Sequence, residues 1–343
     1  MKKELSLKRA LSITLFFLWF SSGLIPAFGG NTRTQTFELE EGWNAIWLAV
    51  EPADLNPSAV FADSPVDIVA AYDGIFSTRQ FTTDPNANML SELGWGVWYA
   101  PERPDSFLTK LGAVYGQKGY LVHSTSACTL DIEGAVELSP VQWQPNAYNL
   151  TGFCMDPLAP PTFAQFFSAS EAHEAHAIYR MTAGTWRRVV DAEAEAMRSG
   201  EAFWIYCDGS SGYQGPLRVE TEGGNGLVLS GTGDELLIHN DAGFPLAPVV
   251  AHMGSDADSV PMAVVVDVID DAVGGIKPIE IPMVNAAWTT VLPLLEPGAS
   301  AAVPLAIQMD KMTAPEARTL LCIKTDMGTE TWVPVLGLRE DLE

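Results

Sequence analysis

The sequence predicts a mainly β protein: two related β-rich modules with short helices, followed by a C-terminal immunoglobulin-like antiparallel sandwich. Three observations carry this expectation. Aromatic and branched residues collect in short runs bounded by Gly, Pro, Asn and Asp, as strands are. A Gly-Trp-Asn motif returns in altered form 105 residues downstream. Nine short apolar runs separated by turn signals fill the last third of the chain. Of 343 residues, 47% are hydrophobic and 18% charged, with 19 basic against 43 acidic residues and a net charge of −24. A chain this apolar buries a core and is no disordered acidic tail. The scarcity of Lys and Arg sets nucleic acid aside as a partner, because phosphate binding needs clustered cations.

Residues 1–29 read as a cleaved secretory signal peptide. Lys2, Lys3, Lys8 and Arg9 form a basic start, Leu11 to Phe20 an apolar stretch, and Ala27-Phe28-Gly29 places small residues at −3 and −1 of a cut. The alternative, an uncleaved anchor from Leu11 to Phe28, is diluted by Ser12, Ser21, Ser22, Gly23 and Pro26. Export implies a secreted or cell-surface protein, with the periplasm open, and no stable membrane span after cleavage. The remaining chain holds 15 basic and 42 acidic residues, a balance of −27.

The first module, 30–137, opens on the strand-rich Phe37 to Val50. Gly42-Trp43-Asn44, then an apolar run, then Glu51-Pro52 aligns with Ala147-Tyr148-Asn149, an apolar run and Asp156-Pro157 in the second module, 138–221. At the same offset Phe61 meets Phe166, and after a shift to 107 Tyr72 meets Tyr179. Each unit then reaches an aromatic-led strand, Gly119-Tyr120-Leu121-Val122 or Ala202-Phe203-Trp204-Ile205. Asn56-Pro57 and Thr162 read as starts of short helices, and Asp191 to Ser199 as another. The Gly-rich Thr221 to Gly226 reads as the linker to the sandwich, 222–343.

The Gly-Trp-Asn opening paired with these later strands resembles a repeated module of secreted, multi-domain bacterial proteins of unassigned function. The resemblance spans roughly residues 36 to 220 and implies export and modular build. It transfers no catalytic residue, and the second unit departs from it at Ala147 and Tyr148.

Four chemistries are open to test. In an oxidising compartment Cys154 and Cys207 are the expected disulfide pair, while Cys322 sits in an apolar run and Cys128 has no evident partner. His173-Glu174-Ala175-His176 lacks the i, i+4 spacing of zinc-protease helices and reads as a polar turn. Asp84, Asn86, Asn88 and Glu92 resemble part of a calcium loop, but Met89 and Trp95 stand where Gly and a bidentate Glu are required. No nucleophile elbow, Walker or dinucleotide fingerprint is present, so no residue receives a catalytic role; a pair of carboxylates acting as a hydrolase stays open.

Aromatics give the candidate ligand patch: Trp95, Trp98 and Tyr99, with Trp186 beside two arginines. In a strand, Trp95 and Val97 share one face and Trp98 takes the other. The functional expectation is a non-catalytic binding or assembly protein outside the cell, with a surface protein or glycan as partner and no cofactor, calcium aside. Carbohydrate binding and a self-assembling filament subunit are the alternatives.

Overall fold

The computed structural model describes residues 30–73, 94–231, 233–254, 259–270, 275–283 and 289–339. The expected signal peptide and the calcium-like residues Asp84, Asn86, Asn88 and Glu92 lie outside them. The protein is mainly β, with short helices between its strands, and every ladder among the described residues is antiparallel except that Leu227–Leu229 pairs in parallel with Val335–Gly337, so one sheet of the expected antiparallel sandwich is mixed.

The first part of the chain contains β1 (Thr32–Leu39), β2 (Gly42–Leu48), β3 (Val50–Pro52), α1 (Pro57–Val60), β4 (Val66–Tyr72), β5 (Trp95–Tyr99), β6 (Lys118–Ser124) and β7 (Cys128–Val136). They form a three-stranded sheet, β1-β7-β3, and a four-stranded sheet, β2-β6-β4-β5. Because side chains alternate along a strand, β2 serves two cores. Ile46 and Leu48 meet Phe37, Leu130 and Ile132 of the three-stranded sheet, while Trp43, Ala45 and Trp47 face the other way.

The second part contains β8 (Ala147–Thr151), α2 (Phe163–Phe166), β9 (Ile178–Thr182), β10 (Thr185–Arg188) and β11 (Phe203–Cys207), in the sheet order β8-β11-β9-β10. Both four-stranded sheets thus pair first strand with last, last with second, and second with third. Their registers place Asn44 opposite Val122 and Asn149 opposite Ile205, and Val69 and Ile178 opposite the same two residues. Leu121 therefore corresponds to Trp204, Ala70 to Tyr179, and Trp95 to Trp186.

That register replaces two of the sequence pairings. Tyr179 corresponds to Ala70, not Tyr72. Phe167, which closes α2 as Phe61 closes α1, is the counterpart of Phe61, not Phe166. Both helices start at an oxygen-bearing cap: the Asn56 side chain accepts from Ser58 N, and Thr162 forms a capping box with Gln165. Asp191 to Ser199 folds as turns instead of a helix. Ala196 is taken by a bridge to Thr162, and Arg180 donates to its carbonyl at 3.2 Å, so tertiary bonding overrides the helix propensity of its Ala and Glu residues.

The two four-stranded sheets pack face to face around Trp43, Trp47, Trp95, Trp186 and Trp204. Trp47 N donates to Gly200 O at 2.8 Å and Ala202 N to Ala45 O at 3.0 Å across the contact. Close approach depends on glycine: a Cβ at Gly152 would stand 2.5 Å from the Trp47 Cβ and closer still to the Glu201 carbonyl.

The remaining strands are β12 (Leu217–Glu220), β13 (Leu227–Leu229), β14 (Asp234–Asn240), β15 (Pro248–His252), β16 (Met262–Asp270), β17 (Gly275–Pro282), β18 (Thr289–Val291), β19 (Ser300–Ile307), β20 (Glu316–Thr325) and β21 (Glu330–Leu338). Two five-stranded sheets, β12-β14-β19-β16-β17 and β13-β21-β20-β15-β18, enclose one core. Each of the nine apolar runs contributes a strand. β12 pairs with β14, so the Gly-rich Thr221–Gly226 joins two strands of the sandwich and the unit begins before it.

Candidate functional site

The three tryptophans of the candidate patch are core, not platform. Trp95, Trp98 and Trp186 are 9%, 6% and 4% exposed. The parity reasoning places them as expected, Trp95 with Val97 on one face and Trp98 on the other. Both faces are covered, however: Trp98 packs on Phe61 (centroids 6.1 Å apart) under the three-stranded sheet, and its Nε1 donates to Ser58 Oγ at 3.1 Å. Trp95 and Trp186 lie 6.3 and 6.1 Å from Trp204 in the contact between sheets. A strand in the middle layer of three leaves no face for a ligand. Tyr99 is half-buried beneath the Arg103 guanidinium, 5.7 Å from its ring, and burial raises its phenol pKa.

Arg103 belongs to the most charged cluster of the first unit. Asp67 accepts from Arg103 and bonds His123 Nδ1 at 2.6 Å, and Arg103 also donates to Asp105 at 2.8 Å. The hydrogen bond from Arg103 holds the Asp105 carboxyl below its usual pKa. An Asp–His pair is two-thirds of a hydrolytic triad. Among the described residues no hydroxyl or thiol bonds His123, so the cluster ties β4, β6 and the 103–105 turn together.

All four cysteines are free thiols. Cys207, fully buried, donates to Gly209 O at 3.4 Å, whereas Cys154 accepts from Arg33 Nη2 at 3.1 Å. They stand as separate thiols with separate partners. His173 is buried against Trp143 (4.2 Å) and Phe167 (4.9 Å), its Nδ1 bonded to Ser170 Oγ at 2.6 Å. Burial, reinforced by His176, lowers its pKa to about 4, so it is neutral at pH 7. Among the described residues no group of three His, Cys, Asp or Glu side chains converges on a metal position.

The geometry instead singles out a cavity of about 400 Å3 where the two four-stranded units meet the sandwich. Arg33, Trp47 and Gln117 come from the first unit, Phe153, Cys154 and Gln214 from the second, and Thr221 and Trp332 from the sandwich. A second cavity of about 310 Å3 adjoins it, sharing Trp47, Gln117 and the connecting segment Ser139-Pro140-Val141. That segment is pinned by Gln214, whose Nε2 donates to Val141 O at 3.3 Å. Gln117 holds a left-handed backbone, φ 55°, and donates to Ala49 O at 2.9 Å. In the larger cavity's wall, Arg33 Nε and Thr221 Oγ1 are buried without a hydrogen-bond partner.

Sequence reasoning missed this site because its walls come from distant segments. One signal was present: in β1, Arg33 shares the inward parity of Gln35, Phe37 and Leu39. A cation at an inward position marks either a pair or a site.

No family model matches the chain, and none of the curated proteins compared with it matches. Among solved structures, the PapD-like domain 7 of human CEP192 is 11% identical over 37% of this chain and 87% of its own, with a TM-score of 0.23. The Salmonella enterica SafA pilin in complex with the SafB chaperone is 12% identical over 37% and 56%, also at 0.23. The Enterococcus faecalis MSCRAMM ACE is 8% identical over 92% and 93%, at 0.18. Scores this low carry no information on what this chain binds.

Proposed function

We propose that the protein is an exported, non-catalytic binding protein built from a duplicated module and a sandwich, with its ligand seated in the junction cavity. The observation that carries the reading is the convergence of all three units on one cavity whose wall holds buried, unsatisfied polar atoms. Ligand sites favour such junctions, where apolar walls surround a few orienting polar groups. The duplication is supported by the shared strand order and by Asn44 and Asn149, which make the same bonds to their own units. Export is supported by the basic and apolar N-terminus. N-terminal sequencing of protein recovered from culture medium tests it, with a start at Gly30 expected.

The binding reading is tested with N-phenyl-1-naphthylamine, a neutral apolar fluorophore. One molecule per chain is expected, lost in Ser139→Trp, where an exposed residue on the rim becomes a plug. No binding, or binding that ignores the plug, overturns the reading.

A second reading, self-assembly through the sandwich, rests on the ribbon β16–β17. Among the described residues, β16 beyond Val264 pairs only with β17, and Ile269 and Ile276 near the tip are 79% and 72% exposed. Pro278 and Pro282 in the edge strand remove donors and blunt simple strand addition. Light scattering at high concentration tests it: a wild-type oligomer that becomes monomeric in Ile276→Lys supports self-assembly, and a wild-type monomer excludes it.

A further inference from the structure

Resting on the junction-cavity reading, we propose that the ligand is an amphiphile with one carboxylate and an apolar body, its carboxylate held by Arg33. Three features converge on this chemistry. The Arg33 guanidinium lies 4.8 Å over the Trp332 ring, with one Nη donating to the Cys154 sulfur at 3.1 Å and the buried Nε bonded to nothing among the described residues. Sulfur is a weak acceptor, and a guanidinium carries five donors in a rigid fork, so most of its capacity is unspent. No ion pair to Arg33 forms among the described residues. A half-buried cation without a counter-charge is partly desolvated at a cost, and a carboxylate entering the cavity supplies that charge in bidentate geometry.

The other charges in the wall are already matched or lie at the rim. Glu330 is paired with Lys324 at 2.6 Å. Arg218 is paired with Asp241 at 2.7 Å and with Glu220. Glu137 is exposed. Arg33 is therefore the spare inner charge, and its sign selects an anion. The Thr221 hydroxyl, also buried and unpartnered, adds a donor for a second oxygen. Trp47, Phe153 and Trp332 supply apolar wall for the body of the ligand. A phosphate would meet the same cation but carries a second charge, and no second spare cation lines this cavity.

The experiment is displacement of bound N-phenyl-1-naphthylamine from the full mature chain by decanoate, decanamide, decanol and decyl phosphate. Decanoate is expected to displace at a concentration at least tenfold below that of decanamide or decanol, since a charge-assisted bidentate pair contributes about 1.5–3 kcal/mol. Arg33→Gln, with its own affinity for the fluorophore measured first, is expected to lose the preference for decanoate over decanol. Equal displacement by decanoate and decanol overturns the carboxylate inference and leaves the cavity reading standing. So does a decanoate preference that survives in Arg33→Gln. Preferential displacement by decyl phosphate also overturns it, in favour of a phosphoryl ligand. Failure of the fluorophore to bind at all removes the cavity reading with it. Melting temperatures of wild type and Arg33→Gln without ligand confirm that the variant is folded.

Discussion

The sheets β2-β6-β4-β5 and β8-β11-β9-β10 share a strand order and present corresponding faces to each other, yet their outer faces are closed by different means. The first is covered by a further sheet, through Phe37, Leu130 and Ile132. The second is covered by α2 and turns, through Phe163, Phe167, Met197 and Trp143. Corresponding positions meet in the middle: Trp43 with Tyr148, Leu121 with Trp204, and Trp95 with Trp186 all lie in one cluster. Like faces in contact are what a two-fold pair of identical subunits would show. The facing surface is therefore the constrained part of the module, because a change there is felt by both units. The outer cover needs only enough apolar surface to exclude water, so it is free to differ.

The strongest way to break this comparison is to remove its centre. Trp204 is fully buried, and Trp95, Trp186 and Tyr72 all stack around it. Trp204→Ala is expected to cost about 3–5 kcal/mol in urea denaturation, the range for large buried aromatics. A cost below about 1 kcal/mol would mean that the two sheets do not share a core.

Next comes the close approach between the sheets. Gly152→Val places its Cβ 2.5 Å from that of Trp47 and against a backbone carbonyl that cannot swing aside. Overpacking of this kind costs about 1–3 kcal/mol. Gly112→Ala meets nothing within 4 Å and is the control, expected to be neutral or slightly stabilising. If both substitutions prove equally mild, the sheets are separable.

Acid separates the two outer covers. His173, inside the second unit's cover, and His252, in the sandwich, are buried and have their pKa lowered to about 4, in both cases chiefly by burial. An unfolded histidine titrates near the usual 6.5, so the unfolded state binds more protons between these values. Stability is complete above pH 6.5, falls as pH drops toward 4, and levels off below. Each histidine accounts for on the order of 2 kcal/mol at pH 5. The single histidine of residues 30–137, His123, is half-buried against Trp43 on the opposite face of its sheet. The near-ultraviolet signal of Trp143, 4.2 Å from His173, should therefore fade on acidification before that of Trp98. His173→Gln should flatten that part of the pH profile.

Strand existence was legible because period-two patterning and turn residues are local, and each apolar run of the sandwich became a strand for that reason. The equivalence of Asn44 and Asn149 was legible, and both stand opposite the last strand of their sheets. The register of the two sheets beyond them was not, because Tyr72 and Tyr179 match as letters while the hydrogen-bond ladder gives Tyr179 the position of Ala70. The candidate patch failed for a different reason. Parity tells which side of a strand a tryptophan occupies, never how many layers cover that side. Trp98 was correctly placed off the main face and still ended in a core. The cavity was invisible because Arg33, Cys154 and Trp332 are brought together only by tertiary packing.

The finest test concerns the two asparagines that first suggested the repeat. Asn44 Oδ1 accepts from Glu40 N at 2.9 Å, and its Nδ2 donates to Glu40 O and Gly42 O at 2.9 and 3.1 Å. Asn149 repeats the pattern on Gln144 N and O at 2.8 and 3.2 Å and on Ala147 O at 3.1 Å. Each side chain thus clamps the turn that leads into the first strand of its sheet, which fixes the register from which the pairing with the last strand follows. Replacing either by Ala leaves three backbone groups to water and costs about 1–2 kcal/mol. Asn→Asp keeps the acceptor, loses both donors and sets a negative charge beside two carbonyl oxygens, so it should cost at least as much as Ala. Equal costs at the two sites mean that the clamp does the same work in both units. A cost at Asn44 alone would confine the equivalence to strand order.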